Sequence, residues 1–183
     1  MIALRNVAFA LILSLLGGAA PGLPRIDSLV LERTTCYGTC PSYRIVVSRD
    51  GHVAYEGRKF VKELGRREKR LTDGQMRQLD AEVQRVHYFS LRDRYAFQED
   101  GCPTTWTDNP AVITSVRAGG QRKQIMHGYG CQYEMESRRG VYPADLTAFE
   151  SRVDAIVGVA QWIGSLEERV GAAPPGRQQG ASH

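Results

Sequence analysis

Two cysteines four positions apart stand in the run Cys36-Tyr37-Gly38-Thr39-Cys40-Pro41-Ser42-Tyr43, and Cys102 and Cys131 lie far downstream. In a reducing compartment such a close pair suggests a metal site or redox chemistry; in an oxidising one it suggests a structural disulfide. Two soft thiolates with a distant imidazole, here His127, form a ligand set suited to copper. The segment His127-Gly128-Tyr129-Gly130-Cys131 also sets a histidine four residues ahead of a Gly-Cys, the ingredients of a thiol nucleophile and its base.

Each chemistry meets an objection in the surrounding residues. Copper carriers with Cys-x-x-x-Cys-Pro use it to open a helix, whereas Ser42 to Val47 alternates as a strand does. A disulfide is therefore the stronger reading of Cys36 and Cys40, with Cu(I) or thiol-redox use of Cys36, Cys40 and His127 as the alternative. Exported cysteine transpeptidases carry an arginine after the nucleophile, but Gln132 and Tyr133 follow Cys131. A glycine-rich strand exit ending in half a disulfide accounts for that segment, and a cysteine-dependent envelope enzyme is the remoter alternative. Asp93, Glu99, Asp100 and Asp108 supply oxygen ligands without calcium-loop spacing, and Arg92 and Arg94 stand among them, so turn roles fit better. No Gly-x-Ser-x-Gly, Ser-x-x-Lys or glycine-rich phosphate loop occurs. No resident cofactor is expected.

Compartment decides among these readings. Arg5, the apolar run Val7–Leu16 and the small residues Gly17 to Ala20 make the three parts of a secretory signal peptide over residues 1–19. A run of ten apolar residues is too short to cross a bilayer of about 30 Å. No later run is long enough, so the mature chain is not expected to span a membrane. Residues 20–28 read as a short leader, 29–170 as one domain and 171–183 (GAAPPGRQQGASH) as a disordered tail. The location expected is periplasmic or secreted. The whole chain carries 24 basic and 20 acidic residues, and losing Arg5 changes the net charge from +4 to +3, too mild a balance to argue for nucleic acid.

The elements that must position these groups follow from periodicity. Leu29 to Leu71 alternates: Tyr43, Ile45 and Val47 share a face, Ser48-Arg49-Asp50-Gly51 turns the chain, and His52 to Glu56 returns. Gly57 to Arg70 reads as a further strand or irregular edge. Met76, Leu79, Val83 and Val86 then make a helical stripe, opened by a capping box of Thr72 with Gln75. Tyr88 to Pro110 lacks sustained periodicity. Ala111–Arg117 and Gln121–His127 read as a second hairpin. Pro143 to about Val170 is helical, with the stripe Leu146, Phe149, Val153, Ile156, Ala160 and Ile163, and Gly158 and Gly164 could split it or end it early. The fold expected is α+β: an antiparallel sheet, made of the N-terminal meander and the second hairpin, with two main helices packed on one face. Four cysteines allow three connectivities. A hairpin brings its own ends together, which favours Cys102–Cys131 with Cys36–Cys40.

The run Cys36-x-Gly38-x-Cys40-Pro41-x-Tyr43, with Asp50-Gly51, Tyr55-Glu56-Gly57, Phe60-Val61, Ile113-Thr114-Ser115 and Trp162-Ile163, resembles an uncharacterised family of exported bacterial domains. The likeness spans most of Leu29 to Ile163 and implies a single domain without implying an activity. Cys102 and Cys131 stand outside the shared pattern, as a local addition.

The expected function is thus a disulfide-stabilised domain of the bacterial envelope that binds or supports another component and is not an enzyme. The candidate surface comprises Tyr37 and Tyr43 at the clasp, Asp93, Tyr95 and Asp108 in the long loop, and a basic strip. The strip, Arg58 to Arg70, has seven basic and two acidic residues. Arg58, Lys59, Lys62, Arg66, Arg67, Lys69 and Arg70 could hold anionic lipid or polysaccharide, or could simply guard an edge strand.

Overall fold

Alternating apolar residues impose strands wherever one face can be buried, and the first four follow in sequence: β1 (Ile26–Arg33), β2 (Ser42–Ser48), β3 (His52–Lys59) and β4 (Gly65–Arg70). The computed structural model describes residues 25–135 and 138–171. The expected signal peptide, residues 20–24 of the leader and residues 172–183 of the tail lie outside them. β1 starts at Ile26 rather than at Leu29.

The long loop carries two short strands, β5 (Arg94–Tyr95) and β6 (Thr104–Thr105). The expected hairpin follows as β7 (Ala111–Ala118) and β8 (Gln121–Gly128). Gly119 and Gly120 both take positive φ, 55° and 79°, as a tight two-residue turn requires. A further hairpin absent from the sequence reading, β9 (Cys131–Met135) and β10 (Arg138–Val141), pairs with β6 in a three-stranded sheet. The main sheet runs β4-β3-β2-β1-β7-β8-β5. β1 is its hinge: Leu31 faces Ile45 on one side and Thr114 on the other, so meander and hairpin are one sheet.

Two main helices cover one face of that sheet. α1 (Asp73–Arg85) carries the expected cap, with the Gln75 amide donating to Thr72 Oγ1 at 3.2 Å and the Thr72 amide to Gln75 Oε1 at 3.0 Å. α2 (Ala144–Val157) is shorter than the expected helix, because Gly158 turns left-handed at φ 73°. A four-residue α3 (Ala160–Ile163) and one 3₁₀ turn follow it. α2 buries Leu146, Phe149, Glu150, Val153 and Val157, so the stripe passes through Val157 where Ile156 was expected. Among the described residues no helix is long and apolar enough to cross a membrane.

Both disulfides pair as expected, Cys36–Cys40 at 1.95 Å and Cys102–Cys131 at 2.00 Å. The first closes the β1–β2 connection. The second ties the long loop to the first residue of β9, so it pins the small sheet.

Candidate functional site

The β1–β2 connection meets two other loops at one end of the sheet. The Thr34 amide donates to Ala111 O at 2.9 Å and the Ala111 amide returns to Thr34 Oγ1 at 2.8 Å. One step further, the Tyr37 amide donates to Asp108 O at 3.1 Å. Asp108 sits at φ 64°, a left-handed conformation that Asp tolerates better than most residues. Between these anchors the Cys36–Cys40 bond closes a tight loop and leaves the Tyr37 side chain 91% exposed. The adjoining Trp106 amide donates to Gly130 O at 2.8 Å, so the 104–110 segment lies against the β8–β9 turn. Trp106 is also partly exposed and carries the Arg139 guanidinium 5.0 Å from its ring centroid.

Beneath this end runs a chain of polar side chains that joins α2 to the sheet. Arg33, the last residue of β1, donates through Nε to Asp154 Oδ2 at 2.8 Å and to the Tyr43 hydroxyl at 2.9 Å. One Arg33 terminal nitrogen lies 2.7 Å from the same carboxylate and the other donates to the Tyr129 hydroxyl at 3.0 Å. The Tyr129 hydroxyl donates in turn to Glu150 Oε2 at 3.0 Å. Glu150 faces His127 Nδ1 at 2.9 Å, and His127 Nε2 donates to Tyr142 O at 2.8 Å. One proton therefore lies between Nδ1 and Glu150, since Nε2 must already carry its own.

Burial sets the charges in this chain. Burial alone would lower the Arg33 pKa, yet Asp154 and the Tyr43 and Tyr129 hydroxyls reverse that and hold it above its ordinary value. Burial raises the Tyr43 hydroxyl, and it pushes Tyr129 up to about 12. Burial likewise raises Glu150, against the pull of His127. Asp154 rises for the same reason, with Arg33 working against the rise, and its Oδ1 is buried with no hydrogen-bond partner among the described residues.

This arrangement fastens α2 to the sheet and presents no reactive group to an open cavity. His127 and Glu150 are fully buried. No described cysteine is free, so Cys131 carries no thiol for nucleophilic attack. The copper alternative would need free thiolates and an open imidazole, whereas Cys36 and Cys40 bond each other and both His127 nitrogens are engaged in the core. Among the described residues no group of three or more His, Cys, Asp or Glu is placed to hold a metal.

The residues singled out from sequence scatter. Tyr37 and Asp108 come together at the clasp. Tyr43 and Tyr95 are buried, so neither belongs to a surface: Tyr43 shares its strand face with Ile45 and Val47, and Tyr95 packs edge-on against His127 and Tyr142. Asp93 pairs with Lys123. The basic strip is largely neutralised. Arg58 pairs with Glu32 and Glu56, Lys62 with Glu168, Arg67 with Glu63, and Arg70 with Asp50. Lys69 turns inward, donating to Val157 O at 2.9 Å beside the Trp162 ring. Lys59, Arg66 and Lys69 of the strip lack an ion pair among the described residues, and of these Lys69 is held by the Val157 carbonyl.

The sequence reading missed Arg33, Tyr129, Glu150 and Asp154. One signal was present: Glu150 occupies a stripe position, four residues after Leu146 and three before Val153. A carboxylate there must be paired or neutral.

One family model, described as a domain of unknown function (DUF6438), matches residues 27–157. That span takes in both disulfides and the whole chain of polar residues from Arg33 to Asp154. No curated protein matches the chain.

Proposed function

The chain belongs to the family of the domain of unknown function DUF6438, and from that premise we propose that it is exported and works outside the cytoplasm as a non-catalytic binding domain. The observation that carries this reading is Tyr37. A large aromatic side chain stands 91% exposed on a loop closed by a disulfide and anchored through its own amide to Asp108. A backbone already held in place loses little entropy on binding, and tyrosine supplies wide contact area with few rotatable bonds. Oxidised cysteines and the N-terminal signal pattern support a location beyond the cytoplasm. Burial of His127 and Glu150 and the absence of a free described thiol support binding over catalysis. The partner is an envelope component. Neutralisation of the Arg58–Arg70 strip leaves little there for anionic lipid or polysaccharide.

Two measurements test this. Intact mass of the protein recovered from the envelope should lack residues 1–19 and should gain the four hydrogens of two disulfides only after reduction. An uncleaved chain or a free thiol overturns the export reading. A photo-reactive phenylalanine analogue at position 37 should give adducts with an envelope component, whereas the same analogue at exposed Arg77 on α1 should not. Equal labelling, or none at position 37, removes Tyr37 from the binding surface.

A further inference from the structure

A second surface lies at the opposite margin of the main sheet. Among the described residues only β5 stands beyond β8, and its two residues pair with Met126 and His127 alone. Gln121 to Ile125 therefore have no strand on their outer side among the described residues. The Met126 amide donates to Asp93 O at 2.9 Å, away from β7, which fixes the direction of the ladder. Backbone groups alternate along a strand, so those of Arg122 and Gln124 also point outward, and among the described residues their amides have no partner.

A concavity of about 750 Å³ runs beside this open edge, walled by Gln121 to Gln124 and Met126 on one side and by Phe89 and Asp93 on the other. Its charge is unbalanced. Arg117 and Arg122 are directly opposed in the β7–β8 register, are both exposed, and neither has an acid within ion-pair distance among the described residues. Like charges opposed across a strand pair destabilise it. The other margin, β4, differs: its arginines at 67 and 70 pair with Glu63 and Asp50, and Glu68 lies 3.4 Å from His52. That edge is guarded by charge, of which Arg67, Glu68 and Arg70 are paired while Arg66 and Lys69 have no ion pair among the described residues.

We propose that the open edge of β8 receives an extended acidic segment of a partner protein as an added strand. The backbone groups of Arg122 and Gln124 supply its ladder bonds. Side chains of the added strand alternate between faces. On the outer face, which carries Arg117 and Arg122, they are carboxylates; on the helix face, toward Phe89, they are apolar. The occupant is therefore a sequence alternating acidic and apolar residues. A second copy of this chain is the wrong occupant, because β8 against β8 would set arginine against arginine.

The test is an amide NMR titration of the oxidised, signal-free chain with an alternating glutamate–valine hexapeptide. The matching lysine–valine peptide, inorganic phosphate and phosphatidylglycerol vesicles serve as comparisons. The glutamate peptide should bind, shift and protect the Arg122 and Gln124 amides, and leave the protein monomeric. Gln124→Pro removes one outward donor without touching the β7 ladder, and should weaken binding about tenfold, the scale of one or two lost hydrogen bonds. Arg117→Glu with Arg122→Glu should exchange the preference to the lysine peptide. If Gln124→Pro disturbs the fold, that charge exchange decides alone. Equal binding of both peptides, no protection at positions 122 and 124, or dimerisation overturns the proposal. So does phosphate or vesicle binding that displaces the peptide, which would make this an anion site and not a strand site.

Discussion

Arg33→Met removes the cation that faces Asp154 and the donor to two phenols while keeping an unbranched stem. The Arg33 and Asp154 side chains are 18% and 16% exposed, so water still reaches part of the pair. Stranding a buried charge costs about 3–5 kcal/mol, and the residual exposure argues for the lower end, about 3 kcal/mol. The Tyr43 and Tyr129 hydroxyls each lose a donor, adding roughly 1 kcal/mol together. A loss of about 4 kcal/mol is expected, which at a urea slope near 2 kcal/mol per molar moves the unfolding midpoint down by about 2 M. Urea denaturation of the oxidised protein followed by circular dichroism measures it. Arg33→Met combined with Asp154→Leu removes the stranded carboxylate and should recover more than half of the loss. A single-variant cost below about 1 kcal/mol, or a double variant no more stable than the single, would refute the charge-pair reasoning. The cost would then lie in packing of the arginine stem.

Three further outcomes follow from other parts of the molecule. In the chain-entropy view, Cys102→Ala with Cys131→Ala should cost about 3.5 kcal/mol and Cys36→Ala with Cys40→Ala about 2 kcal/mol, since the sequence separations are 29 and 4; guanidinium unfolding in which the short clasp costs as much as the long one contradicts that account. Glu150 is raised in the fold by burial, so its contribution to stability is present below the ordinary carboxylate range and is lost as pH rises through its folded value. The wild type should therefore lose stability relative to Glu150→Gln on going upward from about pH 4.5, and parallel stability–pH curves would deny the effect. Gly130→Ala would set a methyl group 2.0 Å from Trp106 O, so the 104–106 segment must shift; thermal melting should fall by several degrees, and an unchanged melting temperature would mean the turn yields freely.

Much of the fold was legible because it is written locally. Tyr43, Ile45 and Val47 share a face by period two, and that same pattern already placed Tyr43 inside, although it stood among the surface candidates. The Thr72–Gln75 box and the α1 stripe depend on residues three and four apart, and both formed as expected. The Cys102–Cys131 bond followed from a hairpin that brings its own ends together. β5 and β6 were invisible because two residues carry no period, and the β9–β10 hairpin went unread. The length of α2 hung on whether Gly158 would turn left-handed, which tertiary contacts settle.

The candidate surfaces depended on tertiary structure throughout. The Arg58–Arg70 strip is a dense positive run in sequence, yet Glu32, Asp50 and Glu168, from distant parts of the chain, neutralise much of it. Arg117 and Arg122 looked ordinary in a hairpin, and they become an unbalanced pair only because no acid of the described residues folds back to them. Arg33 and Asp154 are 121 positions apart and meet only when β1 lies under α2. By itself, then, the sequence determined which residues turn inward along β2 and α1 and favoured the cysteine pairing that forms, since these depend on near neighbours. Tertiary structure alone decided that β1 joins two hairpins into one sheet, which charges are paired, and that Tyr37 stands in the open. Ladder partners, ion pairs and exposure are set by residues that approach only after the chain has closed.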